Sequence, residues 1–365
     1  MVAGTVPSSG TAGELVARAQ RLADELLRPS AEQVDRTAVP RSHLDAWAAA
    51  GLLGLAGPRA YGGAQAAPAV QREVAARMAG ACGSTWFVAT QHTLPVTSLA
   101  ASPNAALRER RLAALCSGEL LAGVAFSHLR RPGLPAVRAT RVDGGWRFDG
   151  TVSWMTGWGL CDLVLLAGRT EGDEVVFVLV GAQEGAGMSA SEPLPLAAMA
   201  ATRTVALTLE DLRVADTDVV EVTGAADWLA ADALRTANAS PHVFGLQREC
   251  VQRLAATASA RDDGTAAALA HSLGQEGARL HRVAETLLED VAPDELVEDR
   301  LAVRASSLEL ALRSATALVA ATGGAAMSLD AAPQRLAREA VFSLVQAQTP
   351  PVRQAVLQLW RDSGA

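Results

Sequence analysis

Between Trp154 and Asp162 the chain reads WMTGWGLCD, which sets two tryptophans, a threonine and two glycines side by side. Tryptophan offers a flat apolar wall, a buried threonine hydroxyl donates or accepts one hydrogen bond, and glycine lets main chain approach a ligand closely. Such residues in one strand-like run suit the planar ring of a cofactor. The competing reading makes Trp154 and Trp158 ordinary core residues. Proton transfer near neutral pH points to histidine; the candidates are His92 in ATQHTLPV, His128 in AFSHLRRPG and His242 in ANASPHVFG. A lone helical histidine is more often a satisfied structural residue, and that reading stands beside the catalytic one. Arg130 and Arg131, adjacent in a loop, have the donors to hold phosphates; a solvated loop accounts for them equally well.

Composition excludes several other chemistries. Lysine is absent, which removes Schiff-base and P-loop lysines, and a formal net charge of -7 argues against a polyanion binder. Cys82, Cys116, Cys161 and Cys250 lie far apart without CxxC or Cys/His spacing, so neither a metal site nor a disulfide framework is expected. The N-terminus lacks a basic region followed by an apolar stretch, and apolar runs stay short of the roughly 20 residues of a membrane span. A soluble cytoplasmic protein is the expectation.

The elements that must position these residues fall into three segments. Residues 1–119 read as helices: Glu14 to Leu27 with Pro29 as a stop, a helix capped by Ser42, then roughly 67–79, 84–100 and 104–115. Residues 120–222 switch to strand period, with Asp143-Gly144-Gly145 as a hairpin turn, and predict an antiparallel β-domain. Residues 223–365 return to helical period, and Ser240-Pro241 marks a helix start or break. The acidic run from Glu289 to Glu298 reads as a solvated connection. The fold class is therefore α+β, mainly α: an N-terminal helical bundle, a middle antiparallel β-domain and a C-terminal four-helix bundle.

That order, together with five local stretches, resembles the acyl-CoA dehydrogenase superfamily of flavoproteins over nearly the whole chain. The stretches are AAGLLGLAGPRAYGGA, LAGVAFS (Leu121 to Ser127), GTVSWMTGWGLCDLVLLAGRT (Gly150 to Thr170), RTVALTLEDLRV and GGAAMSLDAAPQRLAREA (Gly323 to Ala340). The resemblance implies FAD as cofactor, with Trp154 packed near the flavin ring and Thr156 bonding near its redox-active nitrogen. It places Phe126 and Ser127 at the ring's pyrimidine edge. Gly323 and Gly324 fall where a neighbouring subunit's FAD approaches, although the pair also reads as a plain helix break, and Thr349 falls in a loop that makes it a further cofactor contact. His92 falls on a helix lining the acyl pocket.

Two departures from the family pattern matter. The α-proton of an acyl thioester is usually removed by a glutamate, yet alignment through Arg338-Glu339-Ala340 and Thr349 puts Ala347 at one glutamate position, and counting back from Gly245-Leu246 puts Arg235 at the other. Asp232 is the nearest acid to the second, and His92 and His242 become the base candidates. His92, Arg130, Arg131 and Arg235 are the candidate substrate contacts. The family's Arg-x-x-Phe-Gly grip on FAD pyrophosphate is reduced to Arg261. Three functions stay open on these grounds: an oxidoreductase of the dehydrogenase type acting on an acyl thioester of coenzyme A or a carrier protein; a flavin monooxygenase, served by a separate flavin reductase; and a non-catalytic binding subunit. Each implies a homodimer or homotetramer.

Overall fold

A computed structural model describes residues 10–185 and 187–364. Helices, a sheet and helices follow one another along the chain, as the periodicity predicts. The first helix, α1 (Ala12–Leu22), opens on a capping box between Thr11 and Glu14. It does not stop at Pro29. A π-helical turn at Ala23–Leu27, in which the Arg28 N–H reaches the Ala23 carbonyl, absorbs the proline and continues into α2 (Arg28–Arg36). In α3 (Arg41–Ala49) the N-cap position belongs to Pro40, so Ser42 lies inside the first turn instead of capping it.

Next come α4 (Pro68–Ala81), α5 (Gly83–Gln91), α6 (Thr93–Ala101) and α7 (Ala105–Ser117), the last capped by the Asn104 side chain. The helix expected across residues 84–100 is two helices joined at His92. Pro95 has no N–H to give the Gln91 carbonyl, so the ladder breaks and restarts there.

The sheet comprises β1 (Ala122–Ala125), β2 (Val137–Val142), β3 (Gly145–Met155), β4 (Leu163–Arg169), β5 (Glu174–Gly181), β6 (Met188–Ala190), β7 (Val205–Ala215) and β8 (Val219–Gly224). Its order is β6-β7-β3-β2-β4-β5-β8, with β1 paired to β4 off this path. The β2–β3 hairpin turns at Gly144, φ +70°. The sheet is mainly antiparallel, but β1 and β2 both meet β4 in parallel; the intervening hairpin is long enough to bring the chain back in the same direction. β4 is buried on both faces. Leu163, Leu165 and Ala167 pack toward α6 and α7, while Val164 and Leu166 join Phe148, Val152 and Met155.

Six helices complete the chain: α8 (Ala225–Ala237), α9 (Pro241–Arg261), α10 (Gly264–Glu289), α11 (Val297–Thr322), α12 (Ala332–Ser343) and α13 (Pro350–Ser363). Pro241 occupies the first turn of α9, as its sequence suggests. The two helical regions meet where α4 crosses α9. A Cβ on Gly245 would overlap the Ala76 carbonyl, and one on Gly80 would lie 2.6 Å from the Gly245 carbonyl oxygen. This close crossing fixes α5, which follows α4, against the start of α9. By length and composition α11 could cross a bilayer, yet it packs on α9, α10, α12 and α13 and carries Arg300 and Arg304 buried within the protein.

Candidate active site

Trp154 stands at the end of β3 with 46 % of its surface exposed, an uncommon setting for so large an apolar side chain. Met155 beside it is fully buried. Thr156 is buried with Oγ1 3.0 Å from Thr204 Oγ1. Thr204 lies 2.9 Å from Thr202 Oγ1, which donates to the Met199 carbonyl at 2.7 Å. The donor at the far end orders the relay: Thr202 has given its proton away and accepts from Thr204, which accepts from Thr156. The Thr156 oxygen is left with lone pairs and acts as an acceptor toward a ligand.

Behind Thr156 the chain turns through Gly157 (φ +84°) and packs on α5. A Cβ at Gly157 would lie 3.3 Å from Val88 Cγ1 and 3.1 Å from Cys161 Sγ. Trp158 is a partly buried packing residue of the sheet core. After β1, Ser127 opens a 3-10 turn, Ser127–Arg130, that packs on β3 and β4, and its hydroxyl makes no hydrogen bond to the described residues. The Phe126 ring meets Phe177 and Trp228 edge-on at 5.9 and 6.0 Å. Its side chain thus belongs to the core, and only its main chain is left for a ligand.

Two of the three histidines are structural. His92 Nε2 lies 2.9 Å from the Leu115 carbonyl, and its Nδ1 accepts from the Ala122 N–H at 3.0 Å. Both ring nitrogens are consumed in tying the α5–α6 joint to α7 and β1, so His92 is no base and no substrate contact. Burial pushes its pKa down to about 4. His128, also depressed to about 4 by burial, donates from Nε2 to the Ala167 carbonyl at 3.1 Å.

His128 Nδ1 is buried without a partner among the described residues, and so is His242 Nε2. What sets His242 apart is its ring stacked on an aromatic side chain and its Nδ1 2.6 Å from Ser240 Oγ. When the Ser240 hydroxyl donates to Nδ1, the imidazole proton sits on Nε2 and that nitrogen is a donor. Burial first, and the nearby Arg304 charge second, hold the imidazole neutral with a pKa pushed down to about 3.

The other acid–base candidate is locked. Arg130 grips Asp232 through two bonds, Nε to Oδ2 at 2.6 Å and Nη2 to Oδ1 at 2.9 Å, and Arg235 also donates to Oδ1. Burial opposes the Asp232 charge, but these arginines hold its carboxyl below the ordinary carboxylate range. Asp232 is therefore a poor base at neutral pH, and Arg130 is not free for phosphate. Arg131 remains exposed in the loop.

One residue on from Gln346, Ala347 adopts the left-handed conformation, φ +49°. Arg304 holds it, donating from Nη2 to the Gln346 carbonyl at 3.0 Å and to the Ala347 carbonyl at 3.3 Å, while Nη1 donates to the Thr236 carbonyl. Thr349 follows at the N-cap of α13. At the far end of α11, Gly323 closes the helix with φ +75°, and a Cβ on either Gly323 or Gly324 would meet nothing within 4 Å. Arg261 donates to the Ala321 and Thr322 carbonyls there; its guanidinium serves as a cap on α11.

Sequence reasoning missed Trp86 and Arg304. Trp86, on α5, stacks on His242 at 4.4 Å between ring centroids, and Phe87 meets Phe342 edge-on at 4.8 Å. Their aromatic bulk narrows the space between α5, α9 and α12. Arg304 carried a signal, since Arg300 and Arg304 lie four apart on one face of α11.

Residues 11–119 match the family model for the acyl-CoA dehydrogenase N-terminal domain. A 2-methylacyl-CoA dehydrogenase, mitochondrial, from Solanum tuberosum is 25 % identical over 213 residues, 55 % of this chain, and the match spans about half of that relative, 51 %. Among solved structures, dibenzothiophene monooxygenase from Paenibacillus sp. A11-2 superposes with a TM-score of 0.78 at 18 % identity, covering 96 % of this chain and 97 % of that one. A glutaryl-CoA dehydrogenase from Mycobacterium smegmatis, solved with FADH2, gives 0.77 at 17 %, covering 96 % and 94 %. The N-terminal helices thus match the acyl-CoA dehydrogenase N-terminal family model, and the chain as a whole has the acyl-CoA dehydrogenase fold.

Proposed function

We propose that this chain is a flavin-dependent oxidoreductase acting on an acyl thioester of coenzyme A or of a carrier protein, with FAD as its cofactor. The observation that carries the reading is the half-exposed Trp154 indole beside the Thr156 oxygen, with the unpartnered Ser127 hydroxyl on the neighbouring turn. A planar ring needs an apolar wall and a few fixed polar groups at its edge, and these residues supply both. Trp154 would cover the ring, Ser127 and the Phe126 main chain would hold its polar edge, and Thr156 would accept a hydrogen bond from it. Thr349, Gly323 and Gly324 would border the rest of the cofactor. A flavin bound there supplies two-electron redox chemistry.

A second reading, a monooxygenase that takes reduced flavin from a separate reductase, rests on a specific observation. Neither Ala347 nor Arg235 is a carboxylate, and Asp232 is held ionised by two arginines, so abstraction of an α-proton lacks an evident base. The acceptor character of Thr156 also suits the N–H of a reduced ring. Under either reading the chain works as a homodimer or homotetramer, because Val341, Val345, Leu357 and Trp360 are exposed on and around α12 and α13. Four buried free thiols suit a reducing compartment, and the cytoplasm is the proposed location.

The test is the absorbance spectrum of the purified protein, followed by anaerobic titration with acyl-CoAs. A yellow protein bleached by one of them supports the dehydrogenase. Oxygen consumption with added reduced flavin, and no bleaching by any thioester, supports the monooxygenase. A protein that binds flavin in neither redox state refutes both.

A further inference from the structure

The charges around the α8–α9 junction do not balance. Arg130, Arg235 and Arg304 surround a single carboxylate, Asp232. Arg304 is 4 % exposed, and its hydrogen bonds go to three main-chain carbonyls; none of its partners is ionised. A buried cation without a counter-ion is costly, and burial together with the Arg130 and Arg235 charges draws its pKa down to about 10. Arg235 is half exposed and spends one nitrogen on Asp232, leaving its other donors uncommitted.

A second, independent observation lies beside this cluster. His242 Nε2 and Trp86 Nε1 are both buried without a partner among the described residues, on two rings stacked together. With the imidazole proton on Nε2, both are N–H donors, and buried donors of this kind are rarely left unsatisfied. Arg304 donates to the Thr236 carbonyl at the end of α8, and His242 stands in the first turn of α9 just beyond it. Two surplus guanidiniums and two orphan ring N–H groups share one chemical demand, an anionic oxygen acceptor. A simple hydrocarbon chain cannot meet it.

We infer that the acyl group of the substrate carries a second, free carboxylate, held by Arg235 and Arg304 with the Trp86 and His242 N–H groups beside it. The inference rests on the acyl-thioester reading and narrows it to dicarboxylic acyl groups, of which the four-carbon succinyl group is the probe.

The test compares succinyl-CoA with butyryl-CoA, which differ by a carboxylate in place of a methyl, in calorimetric titrations of the full-length protein, with free succinate and butyrate alongside. Succinyl-CoA is expected to bind at least about tenfold more tightly, the scale of one charge-assisted hydrogen bond. Arg235→Gln should reduce that preference to about twofold or less; because Arg235 is half exposed, this variant keeps the test open if Arg304→Gln fails to fold. Equal or tighter binding of butyryl-CoA, or a preference unchanged in Arg235→Gln, overturns the inference and leaves the thioester reading standing. Binding of succinate over butyrate with neither thioester bound keeps the anion site and overturns the thioester reading. No binding of any of the four overturns both.

Discussion

The imidazole of His242 lies against the indole of Trp86, centroids 4.4 Å apart and planes 24° from parallel, and Nε2 of the first and Nε1 of the second are buried without partners. The pair joins the N-terminal helical region to the start of α9 through apolar contact. Its unmet polar groups oppose that contact energetically, which separates what the rings do for folding from what they do for a ligand.

Replacing His242 by Phe keeps an aromatic ring against Trp86 but removes both the buried unpartnered Nε2 and the Nδ1 bond with Ser240. The two changes oppose each other at about 1 kcal/mol each, so the urea midpoint should move little. It should also lose part of the succinyl-CoA preference. A large loss of stability would mean that Nε2 has a partner in solution that the fold depends on.

Acid should unfold this protein earlier than its carboxylates alone dictate. Burial pushes the pKa values of His92, His128 and His242 down to about 4, 4 and 3, all below the ordinary histidine value of about 6.5. Between about pH 4 and 6.5 the unfolded chain takes up protons at these sites and the native one does not. Stability is therefore complete above pH 6.5 and falls as pH drops, by about 1.4 kcal/mol per pH unit for each histidine. Urea midpoints across this range should show the decline, and His128→Gln should make it shallower by about one proton.

The order of helices, sheet and helices was legible because the hydrophobic period changes at residues 120 and 223. The finer breaks were not. Pro29 looks like a terminator, yet a π turn carries the helix past it; His92 looks like a pocket residue, yet its partners are main-chain groups of Leu115 and Ala122. Main-chain partners leave no trace in side-chain patterns, and the same holds for the three carbonyls around Arg304. The adjacency of Trp154 and Thr156 lies within one short run and is visible in the sequence; the Trp86–His242 stack joins distant helices and is not.

The threonine relay predicts a redox effect. With Thr204 taking the Thr156 proton, the Thr156 oxygen can accept a bond from the N–H of a reduced flavin and so favours the reduced state. Thr204→Val frees that proton for the oxidised ring. The midpoint potential of the bound flavin should fall by about 20 mV, the equivalent of one neutral hydrogen bond. A rise in potential would show that Thr156 is already the donor.

Trp154 should matter to the cofactor and little to the fold. At 46 % exposure its truncation to Ala removes modest internal packing, so the urea midpoint should barely move. Loss of an aromatic wall over a planar ring should weaken flavin retention about tenfold, read by fluorescence of released flavin on dilution. Equal retention by Trp154→Ala would move the cofactor away from β3.

Ala347 offers the sharpest separation of the two oxidoreductase readings. Its left-handed backbone costs an alanine about 1 kcal/mol, so Ala347→Gly should stabilise the fold by several tenths of a kcal/mol, the entropy of glycine offsetting part of the relief. Ala347→Glu does something different: it sets a carboxylate at the end of a segment whose carbonyls Arg304 already holds. If the missing base is what bars α-proton removal, this variant should acquire slow anaerobic bleaching by butyryl-CoA that the parent lacks. The same carboxylate would neutralise Arg304 and compete with that of succinyl-CoA, so the preference for the dicarboxylic thioester should fall at the same time. Bleaching of the parent by butyryl-CoA at the rate of the variant would instead mean that another group already takes the proton, and His242, with its pKa near 3, is too weakly basic to be that group.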